Sequence, residues 1–496
     1  MADNVLLGNV LAGLERLGYS KERATERVKI YNNATKGSTL YHRRKYNEDL
    51  ELIITGSRRE GLASFWVSDT DEMIVPAYVA CCETGINPRG EHVTIDLDFE
   101  DAPSGYTFLK LANDGLTQRL PKMINWEIVQ KGNTLYLKNT QEFRDETNKE
   151  DEESVTGHED VADLDTGWMR HNITQSEITG PAFPFSIPMP MGNRFLNYDR
   201  VLALKCYCSG IHEWCDSKRK YDWPGLELIE KIKGLNAHVV PTGVKGSIHE
   251  TLQWRICYTL AEIELVKSFN DTQIKVYAVL KMLAKGVLEP ALKTRTSEKG
   301  DNVHVPGLTY IMKNIMFWIS EDGPVEMFTK EQFFERLLET LVKLKKYLEE
   351  ENLPNYMIPS RNLCMEKLTP EQRVILLSEI EDILKEGLEF LKRIPQLADE
   401  INNSNEEELN MKAMKRFTEE QFLLSTFTLP PEQLAEVILQ FHDAHTREES
   451  GLIYVEKVLP YFRQNNTSGF FEQFSHMSDE EIFRKILMQF YGQLGL

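Results

Sequence analysis

At 496 residues the chain is too long for one compact core and calls for two or three packed units. Apolar residues make up 41% and charged residues 27%, a balance that excludes a disordered or membrane chain, and no run of eighteen apolar residues is present to span a bilayer. The net charge of −20 argues against indiscriminate binding to nucleic acid, yet nearly half of it sits in residues 141–166, which carry eleven acids and two bases.

The opening "MADNVLLGNVLAGLERLGYS" reads as an amphipathic helix and not a secretory leader, because Asp3 precedes its apolar patch and Glu15 and Arg16 interrupt it. Residues 21–45 follow with eight bases and two acids, so a locally basic face lies under the acidic total. From Leu52 to about Phe108 the pattern is β-like: "LELIITG", "EMIVPAYVA", "VTIDLDF" and "YTFLKLA" are short apolar or alternating runs broken by Gly, Pro and Asn. The strand "TLYLKN" precedes the acidic stretch, which is expected to be a surface insertion over 141–180 without packed structure. A Pro-rich passage then leads to "YDRVLALKC", again a buried strand.

Beyond residue 211 the period becomes helical. "EMFTKEQFFERLLETLVKLKKYL" opens with Thr329 and Gln332 in capping-box spacing and carries Phe333, Leu337, Leu341 and Leu344 on one face. "KLTPEQRVILLSEIEDIL" repeats the device with Pro370 at the first helical position. The polar "DEINNSNEEELN" reads as a hinge to a C-terminal helical extension. Strands and helices are therefore largely segregated, which predicts an α+β fold: a mixed-sheet core over 1–210, a helical lobe over 211–398 and the extension over 399–496. The seven cysteines, an odd and scattered set, fit a reducing cytoplasm better than a disulfide framework.

The chemistry concentrates in "ITGSRREGLASFWVSDTDEMIV". Residues two apart on a strand face the same way, so Asp69 and Asp71 present both carboxylates to one point, where Mg²⁺ or Mn²⁺ suits them. Upstream, Gly56 lets the backbone approach an anion, and the Ser57 hydroxyl and neighbouring N–H groups can donate to phosphate. Two-metal phosphoryl chemistry asks for a third acid from another strand, and Asp199 at the head of "DRVLALKC" is the candidate. Asp96 with Asp98, and Asp163 with Asp165, share the Asp-x-Asp spacing but lack the Gly-Ser turn. Cys206, Cys208, His212 and Cys215 supply the count of a zinc site without its usual spacing.

The pattern "TGSRREGL…SDTDEM" resembles the cyclic GMP-AMP synthase-like receptors of the Mab-21 superfamily. "DRVLALKCYCSGIHEWCDSKRKYDWPG", "LQWRICYTLAEIELVKSFNDTQIKVYAVLKMLAKG", "LTYIMKNIMFWISED" and "PNYMIPSRNL" match in the same order, over about residues 10 to 390. The resemblance implies a bilobal nucleotidyltransferase fold, a polymerase-beta-like mixed sheet with a spine helix. It also implies a cytoplasmic innate immune receptor that joins ATP, GTP or other nucleoside triphosphates into a cyclic dinucleotide, with a STING-type receptor reached only through the product.

Residue by residue, it implies that Thr55, Gly56 and Ser57 contact the triphosphate, Asp69, Asp71 and Asp199 hold the metals, and Asp199 helps deprotonate the ribose hydroxyl. Arg255 would read a base edge, Lys281 would meet phosphate, and Thr309 and Tyr310 would bond to or stack on the donor nucleotide. Cys257 stands where the family often has serine, and the histidine–cysteine zinc insertion of the family's DNA sensor has no counterpart in "AEIELVKSFNDTQIKVYAVLK". That absence favours double-stranded RNA as activator, on a face holding Lys21, Arg23, Arg27, Lys29, Arg43, Arg44, Lys218, Arg219 and Lys220. The competing readings are a catalytically silent scaffold, whose members typically erode the turn or the acids, and a linear-product nucleotidyltransferase.

Overall fold

A computed structural model describes residues 2–63, 69–86, 88, 93–122, 124–140, 142–143, 174–175, 182–188, 195–296, 307–444, 447–465, 474 and 476–491. Most of the acidic stretch, and Asp163 and Asp165 with it, lies outside them. Two helices open the chain, Ala2–Arg16 and the long helix Lys21–Tyr46. Ser20 divides them, its hydroxyl accepting from the Arg23 N–H at 3.3 Å as an N-cap.

Two sheets follow. The front sheet has five strands in the order Leu50–Ile54, Thr70–Pro76, Phe195–Leu202, Phe183–Pro188 and Thr174–Gln175. Thr70–Pro76 and Phe195–Leu202 pair in parallel and the other neighbours antiparallel, so the sheet is mixed. Pro76 interrupts "EMIVPAYVA", and the run continues as Val79–Cys82 in a second sheet of eight strands; likewise "YDRVLALKC" passes at Ala203 into Leu204–Tyr207. Two parallel strands thus run through both sheets and lock them together. Gln253–Cys257 pairs with both Ala237–Val240 and Tyr106–Leu111, which closes the second sheet on itself.

The helical lobe packs Asp271–Leu283 against Leu308–Asp322 and Phe333–Glu349, with Pro370–Glu386 outside the last. Phe333, Leu337, Leu341 and Leu344 are buried along one face, as their spacing predicts. The Thr369–Gln372 capping box forms, with reciprocal bonds of 3.2 and 3.1 Å. The expected box at Thr329 does not begin its helix: that helix starts at Phe333, and Thr329 only accepts from the Gln332 N–H at 3.4 Å. Thr329 sits one turn too early because Phe333, fully buried, sets where the apolar face engages the core.

Beyond the break at Asn403–Asn405, the extension helix Glu406–Leu424 turns back toward the N-terminal helices, and Pro431–Asp443 lies along the long helix. Leu423 and Leu424 join Tyr31, Ala34, Leu52 and Ile74 in a core beneath the front sheet. Gly37 makes the close approach possible, since a Cβ there would fall 2.5 Å from Leu434 Cδ2. No helix among the described residues is long and apolar enough to cross a membrane, and all seven cysteines are free thiols.

Candidate active site

The strand Leu50–Ile54 delivers the chain into a one-turn helix, Gly56–Arg59. Thr55 N–H donates to the Asp71 carbonyl at 2.7 Å, pinning the turn to the head of the neighbouring strand. Gly56 adopts φ +62°, and a Cβ there would stand 2.0 Å from Asp71 Oδ2. Glycine is therefore demanded twice, by the left-handed backbone and by the carboxylate pressed against it. Ser57 Oγ accepts a short hydrogen bond from Lys281 Nζ, which reaches in from the last turn of Asp271–Leu283. A hydroxyl and an ammonium from segments 224 residues apart meet at one point.

Asp199 is the register partner of Asp71 across the parallel ladder, so both carboxylates rise from adjacent strands on the same face. Asp69 lies just before its strand, exposed, with its carbonyl accepting from Arg58 Nε at 3.3 Å. Asp69, Asp71 and Asp199 line one cavity of about 1000 Å³ with Ser57 and Lys281. The decoy Asp98 instead accepts the Tyr136 hydroxyl at 2.8 Å on the second sheet.

Electrostatics mark the crowding. Burial, then the neighbouring Asp199, Glu60 and Asp69, push the Asp71 carboxyl up to about 6. Burial and Asp69 also raise Asp199, while burial draws Lys281 down to about 8 despite the pull of Glu60 and Asp71. Acids held up by one another are the donor set that a divalent cation relieves, and oxygen ligands of this kind suit Mg²⁺ or Mn²⁺. Among the described residues no group of three or more His, Cys, Asp or Glu side chains is placed to hold a metal ion, Asp69, Asp71 and Asp199 included.

On the other flank of the acids a cavity of about 380 Å³ is lined by Arg255, Cys257, Thr309, Tyr310, Arg361 and Lys367. Arg255 comes from the strand Gln253–Cys257, Thr309 and Tyr310 from the first turn of Leu308–Asp322. The Tyr310 hydroxyl donates to Glu262 at 2.9 Å and accepts from Asn355 at 3.0 Å, which fixes the ring at the cavity wall. Behind it Lys313 bridges Glu60 at 3.0 Å and Glu262 at 2.8 Å. Burial alone would lower Lys313, but Glu262 and Glu60 outweigh it and hold the ammonium well above its ordinary range. Glu60, Glu262, Lys313, Asn355, Arg361 and Lys367 escaped the sequence reading. All but Lys367 lie inside the motifs quoted above for the family resemblance, but no local spacing singles them out, because they come from segments far apart in the chain.

The basic face is reshaped by what covers it. Arg27 is 3% exposed and grips Glu420 of the extension, and Arg219 is spent on Glu321 at 3.0 Å and on the Trp214 ring at 4.3 Å. Neither stands on an open surface, because each guanidinium has been drawn into the fold by a carboxylate distant in sequence. Arg23 lies over Phe417 at 4.1 Å, and Lys21 Nζ donates to the Lys267 carbonyl at 2.6 Å. Arg43 pairs with Asp49 and Arg44 with Glu432, both still exposed, as are Lys29, Lys218 and Lys220. Of the residues weighed for zinc, Cys206, Cys208 and Cys215 are buried and His212 is exposed. Residues 272–382, which hold Lys281, Thr309, Tyr310, Lys313, Asn355, Arg361 and Lys367, match the family model of the Mab-21 protein HhH/H2TH-like domain.

Proposed function

We propose that this chain, a member of the Mab-21 superfamily with its nucleotidyltransferase-like fold, is a metal-dependent nucleotidyltransferase that joins two nucleoside triphosphates into a cyclic dinucleotide. The observation that carries the reading is the register of Asp199 with Asp71 beside a Gly-Ser turn whose serine is bonded to Lys281. Ser57, the turn's N–H groups and Lys281 orient the triphosphate of the donor nucleotide. Tyr310 offers a ring face and Arg255 a planar guanidinium to a nucleobase. Mg²⁺ or Mn²⁺ held by Asp69, Asp71 and Asp199 would supply positive charge opposite the phosphoryl oxygens.

In the proposed step a ribose hydroxyl oxygen forms a bond to the α-phosphorus as the bond to pyrophosphate breaks, and the hydroxyl proton passes to Asp199. A second such step between the same two nucleotides closes the ring. As activator we keep double-stranded RNA, with contacts reduced to the exposed Lys29, Arg43, Arg44, Lys218 and Lys220. The test is incubation with Mg²⁺ or Mn²⁺ and labelled nucleotides, with and without double-stranded RNA, beside an Asp69→Asn, Asp71→Asn variant. A phosphatase-resistant spot on thin-layer chromatography, lost in the variant, is expected. A ladder would replace the cyclic product by a linear one, and no product under any condition would favour the silent scaffold.

A further inference from the structure

The C-terminal extension has no part in the chemistry above, yet one of its side chains reaches the Gly-Ser turn through a single intermediary. Glu420, 5% exposed, accepts from Arg27 Nε at 2.8 Å and from Arg27 Nη2 at 2.9 Å, a two-pronged pair. The remaining nitrogen, Nη1, donates to the Gly18 carbonyl at 2.8 Å and to the Gly61 carbonyl at 3.3 Å. Gly61 is the residue from which the turn folds back: the next two N–H groups, of Leu62 and Ala63, donate to the Ser57 carbonyl at 2.9 and 3.1 Å. Gly61 itself has φ +77°, and a Cβ there would lie 2.3 Å from the Ala24 carbonyl of the long helix. The tail of the turn is thus wedged against the long helix at the height of Arg27. Remove Glu420 and Arg27 becomes a buried cation with two carbonyls for company, free to swing away from Gly61.

We propose that Glu420 is a positioning residue for the triphosphate site: through Arg27 and Gly61 the extension holds the backbone that carries Ser57. The inference rests on the reading of that turn as a phosphate site. It makes the extension a working part of the nucleotide site and not a separate appendage.

The test measures binding of α,β-methylene adenosine and guanosine triphosphates with Mg²⁺ to the full chain by calorimetry. Glu420→Ala is expected to weaken binding about 10-fold or more, as loss of an outer-shell partner does elsewhere, and Glu420→Gln, which keeps one acceptor, by less. Because Glu420→Ala strands a buried charge and is open to misfolding, the paired Arg27→Met, Glu420→Leu variant accompanies it. Apolar replacement of this pair removes the stranded charge but not the loss of the tether to Gly61, and Arg23, which also donates to Glu420 at 3.0 Å, keeps Glu26 as its partner at 2.6 Å, so the melting temperature recovers above that of Glu420→Ala while binding stays weak. Glu432→Gln, which cuts the exposed Arg44 pair between the extension and the same long helix, leaves binding unchanged. If the wild-type chain binds the analogues and the paired variant binds them equally well, the positioning role is overturned and Glu420 is a stability residue only. If the wild-type chain binds neither analogue, the phosphate reading of the turn falls first and takes this inference with it.

Discussion

Gly56→Ala tests the geometry at its tightest point. The added methyl would sit 2.0 Å from Asp71 Oδ2, against about 3.5 Å for an ordinary nonbonded contact, so the carboxylate must retreat by more than about 1 Å. A displacement of that size at a reacting centre costs about 100-fold in rate, or about 2.7 kcal/mol. The left-handed backbone, φ +62°, adds a folding cost of roughly 1–2 kcal/mol for any L side chain. Gly132→Ala separates the two effects. It has φ +59° and nothing within 4 Å of its would-be Cβ, so it carries the backbone cost without the clash. In urea titration Gly132→Ala should lose the backbone cost alone and Gly56→Ala that cost plus the clash, while only Gly56→Ala loses kcat/KM and Mg²⁺-dependent nucleotide binding. If Gly56→Ala keeps wild-type binding and turnover while its stability falls like that of Gly132→Ala, the contact between turn and carboxylate has no part in the site.

Other expectations follow from the same structure. Lys281 is drawn down to about 8 by burial, and the proposed phosphate contact needs its charged form, so kcat/KM should fall as pH rises through about 8. Lys281→Met should remove that limb along with most of the binding, and Lys281→Arg should move it beyond the measurable range. His238 is buried with no partner for Nδ1 among the described residues, and burial followed by Lys205 lowers it from 6.5 to about 4. The unfolded chain takes up this proton first, so stability is intact above pH 6.5 and declines between 6.5 and about 4. The loss is of order 3 kcal/mol, and His238→Phe should flatten that slope in acid titrations of the urea midpoint. Leu434, fully buried against Gly37, should cost about 3 kcal/mol on truncation to Ala, read as a lower urea midpoint at unchanged slope.

Much of the fold was legible because it is written in short-range patterns. "LELIITG" and "YTFLKLA" alternate or cluster as strands do, Thr369 and Gln372 stand at capping distance, and Phe333 to Leu344 recur at helical spacing. The Asp69–Asp71 pair and the Gly-Ser turn were equally visible, since their spacing is local, although the strand begins only at Thr70 and leaves Asp69 just ahead of it. The register of Asp199 was not visible. A slip of one residue in the ladder would turn its carboxylate to the opposite face, and only pairing between segments 128 residues apart excludes it.

The tertiary structure also decided which charges are spent and which are free. On the sequence, Arg27 and Lys29 are equivalent members of a basic run. In the fold one is clamped by Glu420, 393 residues away, and the other faces water. Lys313 is one more helix cation until Glu60 and Glu262 close on it from two other elements. Spacing along the chain determines which side chains share a face. What covers that face, and so whether a charge meets solvent, a carboxylate or a substrate, depends on contacts between distant segments that no local pattern encodes.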